Sequence, residues 1–421
     1  MIPANRTVRR SLPWLLAALS MLGPFSIDAV FPAFPLIGAE FGVNTAALQQ
    51  LISVYLLTYA VMSLFHGAIA DAIGRKPVIV TGMLVYALAS VGAAMSTSYT
   101  MLLLCRGLQG MCAGAGLVVG RAVIRDSLEG PAAQRLMAQV MMIFGVAPVI
   151  APMIGALLLP LGSWHGIFWL LAIFSLLLSL ALLLFLDETH PPKLRTRFAP
   201  RPLLAGYLAF ARDRLFWPLL ISSSVNFAGL FLYISSAPRI VRELLGLSAQ
   251  GFPWLFVPVV IGLIGGAWLS GRMADRYTAK PTVGLGYAVM LLACVAHVLL
   301  AWLLPQPLLP WSMLPLILHA VGVQLAFPTL TLLLLDRFPH RRGGISSVQA
   351  FSSLLLCGFV AGVMSPLLSL NMLRLGIGAS ALTLVGVLAW WWYNAASRHH
   401  APLAADVETV PVMQAEIVEP R

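Results

Sequence analysis

The chain has 421 residues, of which 60% are hydrophobic and only 10% are charged. Soluble domains average about 45–50% apolar and about 25% charged residues, so this composition excludes a soluble globular protein. The formal net charge of +11 is a feature shared with nucleic-acid-binding proteins, and its placement along the chain decides what it means.

Apolar segments of about 20 residues, long enough to cross a hydrocarbon core of about 30 Å, recur along the chain. They predict an all-α membrane protein with twelve transmembrane helices around a central cavity, over 12–36, 46–69, 78–97, 100–122, 135–160, 165–186, 215–237, 250–271, 281–304, 311–334, 344–369 and 373–395. The first apolar run is longer than the core of a signal peptide, roughly 7–15 residues, so we expect it to stay as a membrane helix.

A polar, proline-containing stretch divides the twelve helices into two sets of six. The predicted organisation is therefore an N-terminal six-helix bundle at 1–186, a cytoplasmic linker at 187–213 and a C-terminal six-helix bundle at 214–395. Residues 396–421 lack apolar periodicity, so we expect a disordered cytoplasmic tail there.

Basic residues fall in alternate loops and in the linker, whereas the opposite loops hold only Arg239, Arg242 and Arg374. This asymmetry is typical of the positive-inside rule, so we predict a multi-pass membrane protein with both termini cytoplasmic. The basic excess is then a topology signal, and no nucleic-acid partner is expected.

Asp28 is the only acidic residue deep inside an apolar run. A carboxylate at membrane depth is costly and marks a functional site. At 1.5 Å per residue, Asp28 and Arg106 lie at similar depths of about 12 and about 10 Å from the same membrane face. We expect the two to pair and Gln109, one turn deeper, to orient them. The alternative is that Arg106 bonds backbone carbonyls or reaches the outer interface.

The loop after the second helix contains Gly67, Asp71, Gly74 and Arg75 in the pattern GAIADAIGRKP. We expect Gly67 to allow close backbone approach, Gly74 to supply a permissive turn conformation, and Asp71 to accept from N–H groups at a helix start. A diverged copy with Asp275 and Arg276 occurs at the equivalent place in the second half. Two halves sharing one loop motif indicate an internal repeat.

The fifth helix carries Gly145, Pro148, Pro152 and Gly155. The two prolines predict a bend, and Gly155 is expected to let a neighbouring helix approach. The four cysteines lie inside apolar segments and are predicted to be small packing residues. Neither a metal cluster nor a phosphate-binding loop stands out, so ATP-driven transport is disfavoured and no cofactor is expected beyond a proton gradient.

These motifs resemble the major facilitator superfamily: the G-x-x-x-D-x-x-G-R-K-P loop, R-x-x-Q-G in the fourth helix, and A-P-x-x-A-P-x-x-G in the fifth. With F-S-x-D in the first helix, the chain resembles the Bcr/CflA group of multidrug efflux transporters. Ala72 stands where many members have Arg, and His66 where we would expect Gln. The resemblance implies a monomeric transporter, not an enzyme, in which Asp28, Arg106 and Gln109 couple protons.

The implied activity is proton-coupled antiport of hydrophobic or amphipathic small molecules, with drugs as the leading class. Export of a natural metabolite such as an amino acid or nucleoside is the alternative, followed by uptake of a nutrient. Candidate residues for the substrate cavity are Phe25, Phe31, Tyr55, Tyr59 and Asn226.

Overall fold

The computed structural model describes residues 11–398 except 129, 162 and 275. Within these ranges the chain is helical and contains no β-strand. The prediction of an all-α membrane protein is confirmed, and the fold is consistent with twelve membrane helices.

Six membrane helices precede the linker. They are α1 (Leu12–Phe41), α2 (Thr45–Ile73), α3 (Arg75–Ala94), α4 (Tyr99–Gly114, Ala115–Val119 and Gly120–Ser127), α5 (Gly130–Leu158) and α6 (His165–Phe185). Helix α1 is interrupted after Asp28 and resumes through a 3₁₀ turn at Phe31–Ala33. Pro32 and Pro35 lie at this break and lack the N–H groups that a continuous helix needs.

Six more follow. They are α7 (Phe216–Leu244), α8 (Ala249–Met273), α9 (Ala279–Leu303), α10 (Trp311–Arg337), α11 (Arg342–Leu368) and α12 (Met372–Ser397). Ten of the twelve qualify as membrane spans by length and composition alone within the described ranges; α4 and α5 do not, although α5 contains the shorter apolar stretch Val146–Leu158.

Side chains just outside three helices satisfy N–H groups that would otherwise lack a partner. Asn44 accepts from Ala47 N at 2.9 Å before α2, and Asn371 accepts from Arg374 N at 2.8 Å before α12. Ser98 does the same for α4. Such N-caps fix where a helix starts, which is why the predicted starts of these three segments agree with the structure.

In the first half α1 packs on α5, α2 on α4, and α3 lies between α4 and α6; in the second half α10 packs on α8 and α9, and α12 on α7 and α9. The halves meet through α2 against α11 and α5 against α8. Hydrogen bonds join them near one end: Gln49 to Ser235 O, Gln50 to Gly362 O, and Ser53 to Gly358 O, at 2.8–2.9 Å. That end, where α2 begins, is opposite the linker.

The linker contains a helix that the sequence did not predict, Pro200–Phe210, hereafter the linker helix. Tyr207 at its centre donates to Leu64 O of α2 at 2.7 Å. Burial raises the pKa of Tyr207 while a hydrogen bond with Ser347 of α11 opposes the rise, so the phenol stays protonated and can donate. The linker helix thus contacts both halves. The predicted tail lies almost entirely outside the described residues.

Candidate functional site

Arg106 is the centre of a buried polar network that joins the first four helices. Its side chain has no solvent exposure. Its Nε donates to Leu51 O of α2 at 3.2 Å, and its Nη1 donates to Ser26 Oγ of α1 at 3.0 Å. The guanidinium also lies over the ring of Tyr55, with Cζ 4.5 Å from the centroid. A buried cation is tolerated only when its charge is paired or its N–H groups are hydrogen-bonded. Here the two hydrogen bonds and the face of the Tyr55 ring stabilise the guanidinium.

Gln109 extends the network, while its expected part in orienting an Asp28–Arg106 pair stays a prediction. Its Oε1 accepts from Arg106 Nη1 at 2.8 Å and its Nε2 donates to Ser90 Oγ of α3 at 2.7 Å. Tyr86 closes the ring, because its hydroxyl donates to Ser26 Oγ at 2.5 Å. Each group fixes the next, so the Arg106 side chain is held in one orientation.

Asp28 does not pair with Arg106 in this structure, which corrects the expected ion pair. The carboxyl is 3% exposed and makes neither an ion pair nor a hydrogen bond with the described residues. The alternative interpretation of Arg106, bonding to a backbone carbonyl, is the one observed. The expected pairing rested on similar depth in the membrane, and depth alone does not decide which side chains face each other. The rotation of each helix about its axis turns Ser26, and not Asp28, toward Arg106.

The site nevertheless has capacity for a carboxylate. Arg106 Nη2 is enclosed and has no hydrogen-bond partner. An unbonded N–H of a buried cation is costly. Asp28 is in turn the only buried carboxylate among the described residues. The structure therefore holds a buried carboxyl without a partner among the described residues on α1, which also contributes Ser26, and an incompletely bonded buried cation on α4.

Helix α5 packs closely against the backbone of α1 beside Asp28, and Gly155 is the residue at this contact. A Cβ at Gly155 would collide with the carbonyl oxygen of Ala29. The close approach predicted for this glycine is confirmed, and its neighbour is the residue that follows Asp28. Pro148 and Pro152 lie within the continuous helix that also contains Gly145.

The loop between α2 and α3 is a second cluster, and it differs from its prediction in one assignment. Gly74 has φ +107°, which confirms its permissive conformation. The carboxylate that caps α3, however, is Glu188, which accepts from Arg75 N at 3.0 Å and Lys76 N at 3.3 Å. Asp71 instead pairs with the Arg75 side chain at 2.5 Å. The reason is position: Asp71 lies one turn before Arg75 on the preceding helix.

Arg75 is the hub of this cluster. Its side chain is 9% exposed, and its Nε also bonds Asp126 Oδ2 of α4 at 3.0 Å. Arg75 therefore joins the ends of α2, α3 and α4 on the linker side. A Cβ at Gly74 would also meet the end of the Glu188 side chain, but the φ of +107° is what favours glycine there. Gly67 has open space around it, and the close approach predicted there is not made.

The second copy of the loop is only partly described, because Asp275 lies outside the described residues. Arg276 is exposed and makes no ion pair with the residues that the structure describes. A partly buried ion pair joins Arg337 and Asp213, at 2.7 Å, between α10 and the chain just before α7.

The five candidate cavity residues are buried in this conformation. Phe31 and Tyr55 are fully enclosed, and Phe31 stacks on Phe256 of α8 with centroids 6.4 Å apart. Phe25 and Tyr59 are each 7% exposed. Asn226 donates to Met290 Sδ at 3.6 Å, while its Oδ1 has no partner. Their role in substrate binding stays a prediction.

Sequence reasoning missed Ser26, Tyr86, Ser90 and Glu188. Ser26 was visible in the F-S-x-D pattern, and its spacing of two residues from Asp28 is a usable signal. The other three form hydrogen bonds with residues that are 19 to 113 positions away in the sequence, and no local pattern indicates those contacts. The four cysteines are free and buried, as predicted.

The family model described as Major Facilitator Superfamily matches residues 16–366. The chain belongs to this superfamily. Family membership and the names of the relatives indicate a multi-pass membrane transporter rather than an enzyme.

Three bacterial relatives match most of this transporter. Multidrug resistance protein D of Escherichia coli is 27% identical over 89% of the chain and 94% of its own length. The bicyclomycin resistance protein homolog of Haemophilus influenzae is 25% identical over 88% and 87%, respectively. An uncharacterized MFS-type transporter, YdgK of Bacillus subtilis, is 29% identical over 86% and 89%. The resemblance to the Bcr/CflA group is thereby confirmed.

Solved structures support the fold. A bacterial homolog of the lysosomal transporter Spinster, in an inward-facing unoccupied conformation, aligns with a TM-score of 0.69 at 18% identity over 94% of this chain and 98% of its own. A D-xylose-proton symporter aligns with the same TM-score at 15% identity, over 92% and 97%. At these identities the likeness shows the superfamily fold alone.

Proposed function

We propose that this transporter exports hydrophobic or amphipathic small molecules, with drugs as the leading class, in exchange for protons. The names of two relatives, multidrug resistance protein D and a bicyclomycin resistance homolog, support the substrate class. The observation that carries proton coupling is Asp28, the sole buried carboxylate of the described residues, on the same helix as a ligand of buried Arg106.

The proposed cycle uses Arg106 Nη2, the one nitrogen of that guanidinium without a partner here. When substrate enters from the cytoplasm, α1 and α4 shift locally and the Asp28 carboxylate bonds Nη2, which favours the deprotonated form, so the proton leaves to the cytoplasm. In the present arrangement Asp28 is buried without such a bond, and a protonated carboxyl is favoured. When substrate leaves on the outer side, Asp28 takes up a proton there and returns to the present arrangement, so substrate and proton alternate at one site, as antiport requires.

In the proposed topology the linker and both termini are cytoplasmic. The halves are hydrogen-bonded at the opposite, outer end through Gln49, Gln50 and Ser53. That arrangement supports an inward-facing resting state in which substrate enters from the cytoplasm. The transporter is proposed to act as a monomer in the bacterial inner membrane, with no cofactor other than the proton gradient.

The test is drug-driven proton movement in inverted membrane vesicles, with Asp28→Asn as the variant. Wild type is expected to collapse a preformed pH gradient when substrate is added, and Asp28→Asn is expected not to. Glu243→Gln, which changes an exposed carboxyl of α7, is the matched control and is expected to behave as wild type. Undiminished proton-coupled export by Asp28→Asn would refute the proposal.

Substrate class is tested separately by a susceptibility panel in an overexpressing strain, with metabolites measured in the medium. Resistance to several unrelated drugs supports the proposal. Accumulation of a single metabolite without resistance would favour the natural-metabolite exporter instead.

A further inference from the structure

A cavity of about 580 Å³ opens on the linker side of the molecule, where the chain leaves the linker helix and enters α7. Its wall is the five-residue loop from Ala211 to Leu215, with Trp217 of α7 and the α12 residues Trp392 and Ala396. None of these residues belongs to the buried network around Arg106 or to the Arg75 cluster.

The loop is held by hydrogen bonds, and its acidic residue is already paired with a cation. Asp213 accepts from Leu215 N at 2.8 Å and from Arg337 of α10 at 2.7 Å. The loop backbone is also tied to the linker helix, since Asp213 N donates to Phe210 O at 3.1 Å. The carboxylate inside the cavity wall is thus held by a cation of the same half and does not repel an incoming anion.

Two arginines flank this fixed carboxylate without partners of their own. Arg212 and Arg214 are exposed and make no side-chain hydrogen bond or ion pair with the described residues. Lys280 lies close to the far rim, where its Nζ donates to Ser397 Oγ one residue past Ala396. With the Asp213–Arg337 pair neutral, the cavity carries a positive charge that no other acidic residue of its described wall opposes. Arginine suits phosphate because its planar fork presents several N–H groups at once.

The two tryptophans indicate the depth of the cavity relative to the bilayer. Trp217 and Trp392 are each close to half exposed, and both lie within the first or last turns of helices that cross the membrane. Trp217 is fixed by a bond from Nε1 to Ala211 O at 3.1 Å. Half-exposed tryptophans at helix ends are typical of the depth at which lipid head groups sit.

We propose that this cavity binds the phosphodiester head group of an anionic phospholipid, with Arg212 and Arg214 as the phosphate ligands and the two tryptophans packing on the glycerol region. Basic pockets between membrane helices near their ends recognise such head groups. The site is independent of the proposed transport activity, because it shares no residue with Asp28 or Arg106. It lies beside the linker helix, so an occupying lipid braces the junction of the two halves.

The test uses the full-length protein purified in detergent, with phosphatidylglycerol as the probe and phosphatidylcholine as the neutral lipid. Native mass spectrometry measures the retained lipid, and a thermal shift measures the stabilisation it gives. In Arg212→Gln/Arg214→Gln we expect phosphatidylglycerol affinity to fall on the order of tenfold or more, since each basic group near the bilayer contributes about fivefold. Phosphatidylcholine binding is expected to be unchanged, which also shows that the variant is folded.

The matched control is Arg197→Gln/Arg201→Gln, which removes two exposed linker arginines and lies outside the cavity wall. It is expected to retain wild-type affinity, and Arg212→Lys/Arg214→Lys is expected to fall in between. An equal loss in the control, or no loss in Arg212→Gln/Arg214→Gln, would overturn the site. Equal protection by inorganic phosphate without lipid, lost in Arg212→Gln/Arg214→Gln, would overturn the lipid as its occupant.

Discussion

The two halves share a fold but bury different chemistry. Among the described residues, every buried charged side chain belongs to the N-terminal half: Asp28, Arg75 and Arg106. The C-terminal half buries neutral polar groups, including Asn226, Tyr287, His297 and His319. Buried charges in a membrane protein are costly and mark function, whereas neutral polar groups more often join helices. The difference supports placing the proposed proton coupling in the first half.

The C-terminal polar groups illustrate the contrast. Tyr287 and Ser222 bond through their hydroxyls at 2.7 Å, linking α9 to α7. Cys294 contacts His319 Nδ1 at 3.9 Å and Thr383 Oγ1 at 3.6 Å, linking α9 to α10 and α12. These contacts join helices within one bundle, in the way the Arg106 network does, but without a charge.

The largest expected effect is at Arg106. In Arg106→Lys the single ammonium cannot reproduce bonds to Leu51 O, Ser26 and Gln109 together. Leaving buried groups unbonded costs about 1–3 kcal/mol each, so we expect transport to fall roughly 10- to 100-fold. Efflux rates in vesicles measure this. Arg374→Lys, at the exposed start of α12 in the other half, is the control and is expected to stay within about twofold of wild type. Equal losses in both variants would contradict the contrast between the halves.

A glycine pair compares the halves directly. A Cβ at Gly155 collides with Ala29 O beside Asp28, and a Cβ at Gly262 of α8 collides with Ile317 O of α10. Overpacking costs about 1–3 kcal/mol, so Gly155→Ala and Gly262→Ala are both expected to lower the melting temperature. Only Gly155→Ala should change the pH dependence of transport. Gly166→Ala, where nothing lies within 4 Å, is the silent control. A changed pH profile in Gly262→Ala would oppose the assignment of coupling to one half.

A smaller effect is expected at Glu188. Glu188→Gln removes the negative charge at the start of α3, where it accepts from Arg75 N and Lys76 N. Such a charge contributes about 0.3–1 kcal/mol, so we expect a loss of about that size, seen as a lower melting temperature in detergent. Glu243→Gln, which breaks only an exposed ion pair with Arg239, should change stability by less than about 0.5 kcal/mol. Equal shifts in the two variants would show that the charge of Glu188 does not stabilise the start of α3.

The smallest effect on coupling is expected at His319. The ring is buried and its Nε2 has no partner, so His319→Gln alters contacts within the C-terminal half. We expect the proton release per substrate to be unchanged, although substrate affinity shifts. A fall in proton release would show that the second half also contributes to proton coupling, which would contradict the proposed difference between the halves.

Much of the fold followed from the sequence for a physical reason. A hydrocarbon core of about 30 Å requires about 20 apolar residues per helix, so the spans could be read along the chain. Local rules also placed Gly74 and the close approach at Gly155, because backbone conformation and the lack of a Cβ are properties of single residues.

The site was less predictable where it depends on how helices face one another. The sequence predicted similar depths for Arg106 and Asp28. The rotation of the helices about their axes, however, brings Arg106 into hydrogen bonds with Ser26, Leu51 and Gln109. Glu188 caps α3 from 113 residues away, and no short pattern encodes that contact. The linker helix was missed because its proline-containing, basic sequence outweighed its short apolar face around Tyr207 and Phe210.

The most direct test of coupling at Asp28 is the release of protons when substrate binds to the purified transporter in weakly buffered detergent solution. Wild type is expected to release protons on adding a transported drug, and Asp28→Asn is expected to bind the drug without releasing any. His319→Gln is expected to release as many as wild type. Proton release by Asp28→Asn equal to that of wild type would contradict the assignment of coupling to this carboxylate.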